Sequence, residues 1–162
     1  MRRLSVVLLV TLAVLLAAPS AQAAPPTIER FPVEDTFIDE GSCDFPVETH
    51  VMGFIVHIEW VDQDGNVRIF EAAPQLKLTL TNQDTEETIT VNVSGPLHVT
   101  QNADGGFTAV ETGLWGRFEN PETGEPGLFQ SAGRRVISVD AEGNVSDQFV
   151  GRVIDLCGEL AA

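Results

Sequence analysis

Two stretches in the middle of the chain, residues 76–81 (LKLTLT) and 88–93 (TITVNV), alternate apolar and polar side chains without a break. Successive side chains of an extended strand point to opposite faces. Leu76, Leu78 and Leu80 therefore share one face, and Lys77, Thr79 and Thr81 the other. Ile89, Val91 and Val93 repeat the arrangement. Wound into a helix, either stretch would scatter its apolar residues around the axis; laid in a sheet, it buries one face and wets the other.

The rest of the chain reads the same way. VETHVMGFIVHIEW (47–60), VRIFEA (67–72), PLHVTQN (96–102), GFTAVET (106–112), LFQSAGRRVISVD (128–140) and VSDQFVGRVIDLC (145–157) are rich in β-branched and aromatic residues. The turn clusters DQDGN, NADGG and AEGN, with a longer loop RFENPETGEPG (117–127), separate several of them. No segment shows helical periodicity, and GRFEN (116–120) is the only place where a helical turn is expected. About eight short strands predict an all-β fold, an antiparallel up-and-down β-barrel, with a two-sheet β-sandwich as the competing architecture.

In the first of these strands Met52, Phe54, Val56, Ile58 and Trp60 share one face, which places Trp60 in the core. Val51 and Ile55 occupy the other face, so both are partly apolar, as in a strand that lies mid-sheet or under a covering segment. Gly53 and Gly151 interrupt the first and last strands, where bends are expected as a sheet curls.

The N-terminus has the form of a secretory leader. MRR is followed by an uncharged apolar run and by AQA at 21–23, the small-x-small pattern of a cleavage site. The run is short for a bilayer span, so no stable membrane insertion is expected after cleavage. The expected organisation is a signal peptide over 1–23, an N-terminal arm over 24–41 and a single β-domain over 42–160, in a secreted, extracellular protein. Two of the nine basic side chains, Arg2 and Arg3, belong to the leader, which leaves seven against 24 acidic ones and a net charge of −17. A field of that sign repels nucleic acid and anionic lipid.

The two cysteines stand at the extremes of the domain, Cys43 before the first strand and Cys157 at the end of the last. In an up-and-down sheet of even strand number these two points meet, and exported proteins pair such cysteines. A disulfide latch between first and last strands follows.

Sites with chemistry are few. His50, His57 and His98 lack metal-ligand spacing, so no metal or other cofactor is expected. Asp62, Asp64 and Asn66 alternate as in the first half of a calcium loop, but no glutamate follows at its twelfth position, and Asp-Gly between strands is first a hairpin turn. His57 and Glu59 share a face and form a candidate acid–base or ligand-contact pair, with no nucleophile or oxyanion signature beside them. Trp115, in the Gly-rich TGLWGRF, is the candidate for an exposed contact surface. No catalytic residues are assigned.

CDFPVETHVMGF, LFQSAGRRVISVD and GRVIDLCGEL together resemble a group of small uncharacterised exported actinobacterial proteins with a C-x-F-P-V start, an LF-x-S-A-G-R stretch and an LC-x-x-L ending. The resemblance implies an exported domain bridged by Cys43 and Cys157, and no activity. The sequence thus points to a non-catalytic module that binds a protein or envelope component. The alternatives are a carrier of a small apolar ligand in the barrel interior, and a barrel enzyme of isomerase or cyclase type.

Overall fold

The computed structural model describes residues 25–162; the leader expected over 1–23 lies outside the described residues. Nine strands form one antiparallel sheet: β1 (Thr27–Asp39), β2 (Val47–Val61), β3 (Val67–Ala72), β4 (Lys77–Asn82), β5 (Thr88–Asn92), β6 (Leu97–Gln101), β7 (Phe107–Glu119), β8 (Pro126–Val139) and β9 (Val145–Asp155). A single turn of helix, α1 (Leu156–Leu160), follows β9.

The order along the sheet is β5-β4-β2-β3-β6-β7-β8-β9, with β1 on the remaining edge of β2. This is not the up-and-down meander expected. β2 shares one edge between two partners: β4 pairs with residues 47–52 and β3 with residues 56–61. The change of partner falls at Gly53, where a Cβ would stand 2.7 Å from the Leu76 backbone. Only glycine lets the chain entering β4 pass so close. The β4–β5 hairpin therefore leaves the main path, and the sheet has free edges at β1, β5 and β9 instead of closing through hydrogen bonds.

A second bend crosses β7, β8 and β9. Gly113, Gly133 and Gly151 lie opposite one another in three neighbouring strands, and Gly113 has φ +84°. Glu111 and Arg117 lie on either side of this line and form an ion pair. In a straight strand their Cα atoms would be about 20 Å apart, farther than the two side chains together reach. The pair therefore records a sharp fold of β7 at the glycine line.

The curl is held at one end. Val47, Leu80, Leu128, Leu156 and Leu160 are almost fully buried and form the core, with Phe45, Ile89 and Ile154 packed against them. The Cys43–Cys157 disulfide joins the β1–β2 connection to α1 across a sequence separation of 114, with Cα atoms 5.5 Å apart. Asn82 Nδ2 donates to the Leu160 carbonyl oxygen at 3.2 Å, which ties α1 to β4. The latch is where the cysteine argument put it, but it joins α1 to a connection and not two strands.

Four other expectations change. The arm of residues 24–41 is largely β1, paired with β2 from Thr27↔Glu59 to Asp39↔Val47; its Pro32 sits on an edge strand, where a missing N–H costs little. GRFEN is part of β7, and the helical turn instead follows Asp155, whose carboxylate accepts from the Gly158 N–H at 3.1 Å as an N-cap. The long loop shrinks to residues 120–125, a hairpin closed by Asn120 N–H to the Glu125 carbonyl at 2.8 Å. In β2 the inward face is the reverse of the one expected: Val47 and Thr49 are buried, while Met52 is 54% and Trp60 38% exposed. With apolar residues on both faces, alternation alone did not choose between them.

Candidate functional site

The core fills only the latched end of the curled sheet. Beyond it, β2, β3 and β4 face β7 across a cavity of about 330 Å³. Its floor is Thr49, Val93 and Leu128, exposed by 2, 6 and 1%. Val51, Ile55, Leu76 and Leu78 form the wall. They come from the odd positions of β2 and the apolar face of β4, so the period-two pattern supplies the lining directly. Small residues keep the space open, notably Ala72, Ala73, Gly95 and Gly116. A Cβ on Gly116 would lie 2.8 Å from Leu78 Cδ1, so glycine there lets β7 approach the Leu78 side chain without displacing it.

The mouth is aromatic and charged. Phe37 and Phe118, the most exposed lining residues named here at 37 and 54%, bring their rings to 6.4 Å between centroids. Trp115 is half-buried in the wall; its indole N–H donates to the Thr112 carbonyl oxygen at 3.0 Å, and the ring packs against Gly95. The side chain read as an exposed contact is thus part of the cavity. Arg117 places its Cζ 5.8 Å from the Trp115 ring centroid, donates through Nε to Ser131 Oγ at 2.9 Å and pairs with Glu111. Arg117 and Glu111 are both largely buried.

His57 stands on the same face of β2 as Ile55, and its Nδ1 lies 2.8 Å from Glu71 Oε1. Glu59, the partner expected from sequence, is 3.9 Å from Nε2. Glu71 lines the cavity and is the residue that sequence reasoning missed. Its signal lay in the DQDGN turn: once Val61 pairs with Val67 across it, counting back puts His57 opposite Glu71. The register continues across the molecule, with Glu29, His57, Glu71, Leu97, Glu111, Arg135 and Phe149 in one cross-strand row. Cross-strand partners share a face, so ionisable groups form a belt on the cavity side of the sheet.

Thr49 adds one polar atom at the floor: its buried Oγ1 has no hydrogen-bond partner among the described residues. The Asp62 carboxylate is occupied by its own turn, accepting from the Asn66 side chain and from the amides of Asn66 and Asp64. Those bonds, the Asn66 side chain first, hold its pKa below the usual aspartate value. Asp140 is held the same way by Asn144. His98 stacks on Phe70, ring centroids 4.7 Å apart. Among the described residues no group of three or more His, Cys, Asp or Glu side chains is placed to hold a metal.

A second hollow, about 490 Å³, lies beside Trp60, Arg68 and His98. It is a surface depression whose walls are exposed and mixed in polarity. The smaller cavity is the better enclosed and the more apolar. Set against known protein families, curated protein sequences and solved structures, the chain matches none of them.

Proposed function

We propose that this chain is an exported binding protein that holds one small, largely apolar molecule in the cavity between β2, β4 and β7. The observation that carries the reading is the cavity itself: about 330 Å³, with largely apolar floor and walls, one buried hydroxyl at Thr49, and two charged lining residues, Glu71 and the buried, paired Arg117. That volume lies in the range of small-molecule sites, which are mostly apolar with a few placed polar groups. Protein interiors otherwise leave few voids larger than a water molecule. The curled sheet is read as an open barrel latched at its seam, and the disulfide, with its oxidising compartment, supports export.

A second reading, a module docking a protein or envelope component, draws on β1. Its outer edge is unpaired, and Ile28, Phe31 and Ile38 on it are exposed. Free strand edges accept added strands.

Trp115 provides the test. With Trp60→Phe as background, Trp115 is the sole tryptophan, and its emission reports directly on the cavity wall. Titration with alkylbenzenes should give a saturable one-to-one change. Val51→Phe and Ala73→Leu, which fill the lining, should weaken it by about tenfold or more, roughly 1.4 kcal/mol. Absence of saturable binding in the background protein, or binding indifferent to both fillings, would remove the cavity reading.

A further inference from the structure

We propose that the ligand of this cavity carries a cationic, hydrogen-bond-donating head, an amine on an apolar body, which enters tail first and leaves its ammonium at Glu71. The proposal rests on the cavity reading above. Burial orders the lining: Thr49, Val93 and Leu128 are shut off from solvent, whereas Phe37, Phe118 and Glu71 are partly exposed. Among these Glu71 is the polar one, so an amphiphile is oriented with its polar end at that carboxylate.

The charges choose the head. Two ionised side chains line the cavity, Glu71 and Arg117. Arg117 is already engaged: Nε donates to Ser131, Nη2 pairs with Glu111, and the guanidinium lies over Trp115. Its Nε–Nη2 edge is taken, so a ligand carboxylate would meet only the remaining N–H groups of an already paired cation. Glu111 also neutralises the charge. Glu71 differs. Its Oε1 takes the bond from His57, and its Oε2 makes no hydrogen bond among the described residues. That oxygen is an open acceptor at the edge of an apolar cavity, and a carboxylate there forms a charge-assisted hydrogen bond with an ammonium group. A chain whose acidic side chains outnumber its basic ones by fifteen concentrates cations around it and repels anions.

Four ligands with one body and different heads separate the terms: 4-phenylbutylamine, 4-phenylbutan-1-ol, 4-phenylbutanoic acid and butylbenzene. Each is titrated calorimetrically into the full mature protein and into Glu71→Gln, which keeps shape and removes charge. The amine should bind about tenfold or more tighter than the alcohol, and the acid weakest of the four. Glu71→Gln should bring the amine down to the alcohol while leaving butylbenzene unchanged, which also reports that the variant is folded. In the unaltered protein the amine's advantage should shrink from low to high salt, since partly exposed charge is screened. An acid that binds as tightly as the amine, or an amine preference that survives both Glu71→Gln and salt, overturns the proposal and leaves the cavity reading standing. If even butylbenzene fails to bind, the cavity reading falls instead.

Discussion

Removing the disulfide should cost this fold about 5 kcal/mol. The bond closes a loop with a sequence separation of 114. In the chain-entropy model a loop of that length removes roughly 16 cal/mol/K from the unfolded chain, about 5 kcal/mol at room temperature. The folded side should change little, because α1 has other attachments. Leu156 and Leu160 are buried in the core, and Asn82 holds the Leu160 carbonyl. The double variant Cys43→Ala/Cys157→Ala should therefore fold to the same sheet, much less stably, and a domain whose whole stability is about 5–15 kcal/mol has little room for the loss.

Urea denaturation of the two proteins reads both halves of that argument. The midpoint should fall, and the m-value should rise, because an unlinked unfolded chain exposes more surface. A loss under about 1.5 kcal/mol with an unchanged m-value would refute the reasoning. The curl would then be held by the packing and hydrogen bonding of α1 against the core, without help from the latch.

The connections β4–β5 and β7–β8 share the pattern N-x-[DE]-T-x-E and the same hydrogen bonds, Asn82 N–H to the Glu87 carbonyl and Asn120 N–H to the Glu125 carbonyl. At the matching left-handed position one has Gly124 with φ +74° and the other Glu86 with φ +63°, so Glu86→Gly should stabilise by up to about 1 kcal/mol; thermal denaturation showing a lower midpoint would contradict the strain. Asp147 accepts from Arg135 Nε at 2.9 Å, and chiefly that bond holds its carboxyl below the usual 3.8. A depressed folded pKa makes the contribution complete above 3.8 and lost as pH falls through the lowered value. The stability gap between the unaltered protein and Asp147→Asn should accordingly be well under 1 kcal/mol at neutral pH, since the carboxylate is more than a third exposed, and close on acidification; a gap that widens in acid would reverse the assignment.

Legibility in the sequence followed how local each signal was. β4 and β5 were readable because one face is wet and the other dry, and period two then states both the strand and its orientation. The turns were readable because Asx and Gly chemistry is contained within five residues. β2 was readable as a strand but not in orientation: with Met52, Phe54 and Trp60 on one face and Val51 and Ile55 on the other, only the pairing with β1, β3 and β4 decides which faces the cavity. β1 was hidden by Pro32 and its acids, and its strand conformation comes from 13 residues of β2 that need an edge covered. α1 is five residues long, too short for periodicity, and only Asp155 ahead of it hinted at a cap. The candidate site divided in the same way, since His57 was visible alone, whereas Glu71 and the place of Trp115 depend on register and on the fold of β7.

The hollow follows from where the large side chains were spent. The five core residues gather at the latched end, beside the disulfide and α1. Around the cavity the lining carries alanine or glycine at 72, 73, 95 and 116, with 73 and 95 in the connections β3–β4 and β5–β6. Position 95 is held to glycine while the Trp115 indole stays in the wall, since a Cβ there would strike the ring at 2.1 Å. Ala72 and Ala73 are half-buried and line the cavity, and larger apolar residues reaching into it would gain burial at about 25 cal/mol per Å². A fold that needed only stability had that gain within one substitution. Space left open beside a carboxylate with a free oxygen is better explained by a ligand than by packing, and Ala73→Leu separates the two, because it should raise stability and lower affinity together.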